Sequence, residues 1–341
     1  MKRISASILF LFFLSSFQLA TQVVPLPGLI NPDSMMVDHQ HIYITDGATI
    51  YIFSVVDFKL KTKFGRAGEG PKEFKINPTT VTKLLVNIQD DMIIVNSVGR
   101  ISYFTKDGKY LKEVQIGSAY AGNLKKIGNH YVGYSISRRT ETWYLTINLY
   151  DSAFHKLKEI CRTEYYIQAD KKFNLVKAGG GTARLAVYTV YNEKIFVEGH
   201  ENVIHVFDKE GNEQYDIKLN YDRLKVSDKH KEEIRKDLDI LYKGPLMQTW
   251  IKKNGYFPEY FTARMFKIAD NKIFIPTYKK QNGKNEFIIL DLKGNVKKKI
   301  YLPFKDRTLL LAYPYVIGGN RLYQVFDNDE TGEWELHVTG F

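Results

Sequence analysis

The sequence predicts an all-β chain folded as a six-bladed β-propeller, and three observations carry that expectation. Six segments share one order of parts: an apolar run, a polar break, a second run, a tight turn, and a third run rich in Lys and Ile. Asp-Gly turns recur at one place in three of them. The last segment stops one strand short, and the stretch just after residue 20 has the pattern of the missing strand.

The segments begin at His41, Met92, His130, Lys194, Lys272 and Arg321. A further apolar stretch precedes each one (SMMVDHQ, VTKLLVNIQ, GNLKKIG, LAVYTVYN, RMFKIAD and LLAYPYVIG), so every unit reads as a four-stranded meander with strands A to D. Side chains that alternate at a period of two are what a pleated strand presents to its two faces, and 23 Tyr and 21 Phe suit such surfaces. Asp107-Gly108, Asp208 to Gly211 and Asp291 to Gly294 mark hairpins, because Gly accepts the positive φ and Asp bonds its own backbone. Asp57-Phe58 and Asp151 to Phe154 occupy the same place without the glycine. TQVVPLPGL, residues 21–29, resembles the strand D ending of the fifth unit, KKKIYLPF. Pairing it with Trp334 to Val338 closes the ring and leaves no open edge.

With 44% hydrophobic and 26% charged residues in 341, the composition excludes a disordered, collagenous or multi-span membrane chain. Lys2 and Arg3, the apolar run ILFLFFL from Ile8 to Leu14, and a Ser-rich stretch to Ala20 have the layout of a secretory signal peptide. That run is shorter than the ~20 residues of a membrane span. Residues 1–20 are expected to be removed, leaving 21–341 as one propeller in the periplasm or outside the cell. Cys161 is the single cysteine, follows an apolar strand D position, and reads as a core thiol. The net charge of +11 falls to +9 without Lys2 and Arg3; it reads as solubility, since export removes nucleic acid as a partner.

Connectivity decides where function is to be sought. In a meander with strand A at the channel, the A to B and C to D turns share one face, and the B to C turns and D to A connections share the other. The first set is short throughout. The second carries insertions over 65–80, 161–184 and 220–261, with B to C loops near 138–141 and 279–285. Long loops on a rigid ring concentrate binding sites, and they also plug or buttress channels.

The longest insertion, 220–261, predicts a helix, capped by Ser227 or Asp228, with Ile234, Leu238 and Leu241 on one side and Gly244-Pro245 as its stop. Its apolar content is too small for independent folding, so it should lean on the ring as a lid or plug, with Trp250 and Phe257 continuing the contact. Aromatics beside bases in its tail stack sugars, bases or partner side chains, and equally anchor a loop. The candidate ligand- or partner-binding residues of this face are Arg66, Glu69, Arg138, Arg139, Arg184, Trp250, Tyr260 and Arg264. Guanidinium groups suit carboxylate or sulfate groups on a polymer.

Catalytic and metal patterns are thin, and no cofactor or metal is expected. His39 and His41 want further ligands. DNDETGE, Asp327 to Glu333, has Val338 where an EF-hand needs its last acid, so it reads as a B to C turn. GGGT, Gly179 to Thr182, lacks the Lys-Ser/Thr pair of a phosphate loop.

FGRAGEGPKEF, Phe64 to Phe74, is similar to the FGxxGxGPGEF signature of bacterial secreted six-bladed propellers related to NHL-repeat and TolB-like proteins. HIYITD and VFDKEGN resemble NHL-type blade phrases, and Lys72 stands where that family commonly has Gly. The resemblance covers nearly the whole mature chain, implies the fold, and leaves activity open. The expectation is a monomeric, non-enzymatic binding or scaffold propeller that engages a protein or glycan through the insertion-bearing face. The alternative implied by NHL relatives is a metal-dependent lyase or lactonase with its site at the channel mouth.

Overall fold

A computed structural model describes residues 21–70, 72–76, 84–89, 91–116, 121–139, 142–165, 167–169, 175–178, 187–199, 202–241, 259–261 and 264–341. Six four-stranded antiparallel sheets form the blades. Blade 1 comprises Pro32–Val37, His41–Asp46, Thr49–Ser54 and Leu60–Phe64. Blade 2 comprises Leu85–Gln89, Met92–Ser97, Arg100–Thr105 and Tyr110–Gln115. Blade 3 is longer, with Ala121–Ile127, His130–Arg139, Thr142–Tyr150 and Lys156–Tyr165. Blade 4 holds Tyr188–Tyr191, Lys194–Glu198, Val203–Phe207 and Glu213–Lys218. Blade 5 holds Lys267–Ala269, Lys272–Gln281, Lys284–Asp291 and Val296–Leu302. Blade 6 has Tyr315–Gly318, Arg321–Asp327 and Trp334–Gly340, and takes its fourth strand from Thr21–Pro25.

Strands B and C bury both faces because each blade is covered by a neighbour on either side. Ile42, Ile44, Tyr51 and Phe53 pack with Tyr323, Val325 and Leu336 of blade 6. Their chain neighbours Tyr43, Ile50 and Ile52 point the other way, onto Ile93, Val95 and Phe104 of blade 2. The core is therefore a series of interblade layers, and the alternation of each strand sorts its side chains between two of them.

The C to D turns explain both the glycines and their replacements. Gly108, Gly211 and Gly294 have φ of 83°, 74° and 90°, and Asp208 and Asp291 accept backbone N–H bonds of 2.8–3.0 Å across their loops. Phe58 and Phe154 take the same left-handed position, at φ of 55° and 64°. A side chain there costs about 1–2 kcal/mol. Burial offsets it: Phe58 sits in the layer between blades 1 and 6, and Phe154 packs on Tyr131 at 4.8 Å.

Ring closure follows the sequence expectation. Thr21 to Pro25 pair antiparallel with Thr339 to Glu335, the ladder continues as Leu26 N–H donates to Trp334 O at 2.8 Å, and the Trp334 indole donates to Ile30 O at 3.0 Å. Asp327 to Glu333 is the B to C hairpin of blade 6, as expected, with Asn328 accepting from its own loop. One element was not foreseen: a small hairpin, Ile167–Ala169 with Leu175–Ala178, within the blade 3 to 4 insertion.

The helix spans Asp228–Leu241. Ser227 caps it, its hydroxyl accepting from His230 N–H at 3.3 Å while the His230 ring accepts from Ser227 N–H at 3.2 Å, a reciprocal arrangement akin to a capping box. Ile234 is buried with Val226, Phe261 and Tyr278, against Leu309 and Leu310 of the blade 5 to 6 connection, and Leu310 N–H donates to the buried Asp237 carboxylate at 2.8 Å. The insertion thus leans on the ring through Ile234, while the side chains of Leu238 and Leu241, together with Gly244, Pro245, Trp250 and Phe257, lie outside the described residues.

Candidate functional site

The connection from blade 1 to blade 2 is braced from within. Gly65 sits at φ of 90° against the Phe74 ring and Ala48 O, where any Cβ would collide. Phe74 is fully buried and exchanges backbone bonds with Arg66 and Gly68. The buried Arg100 guanidinium donates to the carbonyls of Glu69 and Gly68 at 3.0 and 3.3 Å and pairs with Glu113 at 3.3 Å. Arg66 donates to Glu73 at 2.8 Å, and the Glu73 carboxyl is held below its ordinary range by the Gly70 N–H and by Arg66. Glu69 pairs with Lys75 at 2.7 Å. Lys72 has φ of 66°, which gives the physical reason a glycine suits this position.

This connection walls an open cavity of about 520 Å³ lined by Phe64, Gly65, Arg66, Lys72, Phe104, Gly108, Lys109 and Tyr110. Phe64 and Tyr110 both pack on Phe104, at 4.6 and 5.7 Å, and the Lys72 ammonium lies 5.6 Å from the Tyr110 ring centre. The result is an aromatic floor with a rim of three cations, two of them paired: Arg66 with Glu73 and Lys109 with Asp107 at 3.3 Å. Gly108 and Lys109 belong to a C to D turn, assigned by connectivity to the opposite face. The turn and the connection meet directly: a Cβ on Gly108 would lie 2.7 Å from the Phe64 ring, so this turn of blade 2 closes on the end of strand D of blade 1.

Arg264 is on the expected side of the ring but not at its surface. It is 7% exposed, pairs with Asp306 at 2.7 Å, and stacks at 4.1 Å on Tyr278. Tyr278 stacks in turn on Phe261 at 4.2 Å, and Phe261 meets His230 of the helix at 5.1 Å. This column pins the insertion to blade 5, so Arg264 faces Asp306 and anchors the loop, one of the two roles the sequence left open for this stretch. Tyr260 is half-buried, with Arg223 over its ring at 5.1 Å. Arg138 and Arg139 pair with Trp143 and Thr142 at the tip of the long blade 3 hairpin, their side chains outside the described set. Arg184 and Trp250 lie outside the described residues altogether. Arg66 and Glu69 share one loop; among the described residues, nothing joins them to Tyr260 or Arg264.

Two features escaped the sequence reading. His205, Glu213 and Asp216 come together on strands C and D of blade 4, with one donor atom from each within 4.8 Å of the others and His205 Nδ1 2.7 Å from Asp216. Such a group could hold a metal ion. It lies on the outer strands, away from the channel mouth, and only the pairing of the two strands reveals it.

The second is in the channel. Lys125 and Lys267 occupy equivalent positions on the inner strands of blades 3 and 5, two residues before the last ladder pair of each A to B hairpin. Each ammonium lies 5.0 Å from the ring centre of a tyrosine on the next blade, Tyr188 and Tyr315. Those tyrosines are also equivalent, and their hydroxyls donate to Asn123 O and Met265 O, each two residues before its lysine. Burial, with the Lys267 charge added, pulls Lys125 down to about 7, and burial lowers Lys267 as well. Cys161 is half-buried beside Ile160, its thiol pushed up to about 11 by burial.

No family model matches the sequence, and no curated protein matches it. The fold is similar to that of a solved member of the DUF4221 family from Bacteroides vulgatus, at 13% identity and a TM-score of 0.53, covering 94% of this chain and 96% of that one. It also matches BamB from Moraxella catarrhalis, at 11% identity and a TM-score of 0.34, over 90% of this chain and 71% of that one. A computationally designed protein, Ika8, matches at 8% identity and a TM-score of 0.42, over 91% and 96%. At these identities the likeness is one of fold, and the chain is a six-bladed β-propeller of four-stranded antiparallel blades closed by its N-terminal strand.

Proposed function

We propose that the chain is an exported, non-enzymatic binding or scaffold propeller that engages a protein or glycan partner through its long connections, with the groove between blades 1 and 2 as the seat. The observation that supports this reading is the 520 Å³ cavity itself. Its size suits a ligand group, its aromatic floor suits the flat face of a sugar or an apolar side chain, and the Lys72 ammonium suits a carboxylate or sulfate. Export rests on the leader-like first twenty residues, and the FGRAGEGPKEF stretch supports kinship with secreted propellers. A lyase or lactonase would need metal ligands at the channel mouth, whereas the metal-capable trio of blade 4 sits on the outer strands.

The test screens acidic and neutral glycans and solubilised envelope proteins against three forms of the protein. These are the wild type, a Lys72→Ala/Tyr110→Ala groove variant, and Lys293→Ala in the C to D turn of blade 5, which does not line the groove. A partner should bind the wild type and the control alike and lose at least tenfold affinity for the groove variant, which still unfolds in one cooperative transition above the assay temperature. Equal binding by all three, or loss confined to the control, would contradict the groove as the seat.

A further inference from the structure

The six inner strands can be aligned by their A to B hairpins, each closed by a two-residue turn. Counting back two residues from the last pair gives one position per blade: Met36, Asn87, Lys125, Thr189, Lys267 and Val316. All six are half-buried on the inner strands, Met36 and Val316 with part of their surface against the interblade layers, in which the residues just before them (Met35, Val86, Leu124, Tyr188, Phe266 and Tyr315) are buried. The six therefore form one tier around the channel. Four are neutral. The two cations stand on blades 3 and 5, with Thr189 of blade 4 between them.

The Asn87 amide donates to Leu124 O of the next blade at 3.1 Å, and the Lys125 ammonium donates to Tyr188 O at 2.8 Å, so this position normally reaches for the neighbouring inner strand. A neutral amide satisfies that role. Lysine adds a charge it does not need, and the chain does so twice with the same tyrosine support beneath. Among the described residues, neither lysine has a carboxylate partner, and each feels the channel as a poorly solvated place. Two uncompensated cations at one level of a channel repel each other and lose hydration. An oxyanion between them removes both penalties, with charge-assisted bonds from both ammonium groups.

We propose that the tier formed by Lys125, Thr189 and Lys267 is a binding site for a small oxyanion, a phosphate or carboxylate that enters the channel. The site is separate from the groove between blades 1 and 2, and either could fail alone. Tyr188 and Tyr315 act as positioning residues, each holding its lysine from the adjacent blade while its own hydroxyl is tied to the lysine's strand.

Calorimetric titration of the full chain with inorganic phosphate, and separately with succinate, tests this. The variants are Lys125→Met, Lys267→Met and the double change, with Lys112→Met as control because Lys112 lies 4.9 Å over Tyr103 in blade 2. Wild type and control should bind at least one of the two probes saturably, one per chain. Each single variant should weaken that binding at least tenfold, and the double variant should abolish it. Phosphate binding alone would identify a phosphate site, and succinate binding alone a carboxylate site. Melting in anion-free buffer checks folding independently: every variant should unfold in one cooperative transition, and the bound probe should raise only the wild-type and control midpoints. No saturable binding of either probe, or unchanged binding in the double variant, overturns the proposal.

Discussion

The strand Thr21–Pro25 and the insertion between blades 4 and 5 both attach chain to the ring, by different chemistry. The strand adds a ladder of backbone bonds along Trp334–Gly340 and buries Leu26 and Leu29 in the layer between blades 1 and 6. The insertion is docked by side chains: Ile234 and Phe261 on Tyr278 and Leu310, and Asp237 on one backbone N–H. Its own ends are joined by Val226 N–H donating to Glu259 O and Phe261 N–H to Leu224 O, both at 2.9 Å. Backbone pairing makes a segment part of the sheet it completes, whereas side-chain docking lets a segment open while the sheet beneath stays intact.

The sharpest way to break this comparison is to remove the closing strand. Deleting residues 21–30 opens the edge of blade 6 and empties the sites of Leu26 and Leu29, where loss of a single buried leucine costs about 2–5 kcal/mol. The shortened protein should unfold or self-associate through the exposed edge, as seen in thermal melts and size-exclusion chromatography. A monomer that melts like the full chain would put the closing strand on the same footing as the insertion.

A smaller effect is expected at the insertion. Ile234→Ala should loosen the helix by roughly 2–4 kcal/mol, read as faster amide hydrogen exchange over 228–241, while the exchange of blade 5 strands stays nearly unchanged. Equal acceleration in the helix and in Lys272–Gln281 would show that the insertion belongs to the cooperative core.

What the sequence made legible was what is local or repeated. Alternation within Ile42 to Thr45, the glycines of the Asp-Gly turns, and the strand-like 21–29 stretch each act over a few residues, and the ring follows from counting them. The candidate site was less legible because its parts meet across blades. Binding and anchoring could not be told apart at Arg264, since nothing in RMFKIAD shows that Tyr278 and Phe261 stack above it or that Asp306 faces it. Arg66 was found by its loop, but the partners that make a groove of it, Phe104, Lys109 and Tyr110, come from the next blade. The channel lysines left a trace in GNLKKIG and RMFKIAD, at equal distance from the A to B break. Its meaning depends on Tyr188 and Tyr315, which lie one blade on.

A partner seated in the groove between blades 1 and 2 should shield the groove's backbone from solvent. Amide hydrogen exchange of the full chain, free and with a captured partner, tests it most directly. Protection should rise over 64–74 and 105–110 and stay unchanged in the turns 208–212 and 291–295. Protection confined to those turns of blades 4 and 5, with the groove exchanging as in the free protein, would contradict it.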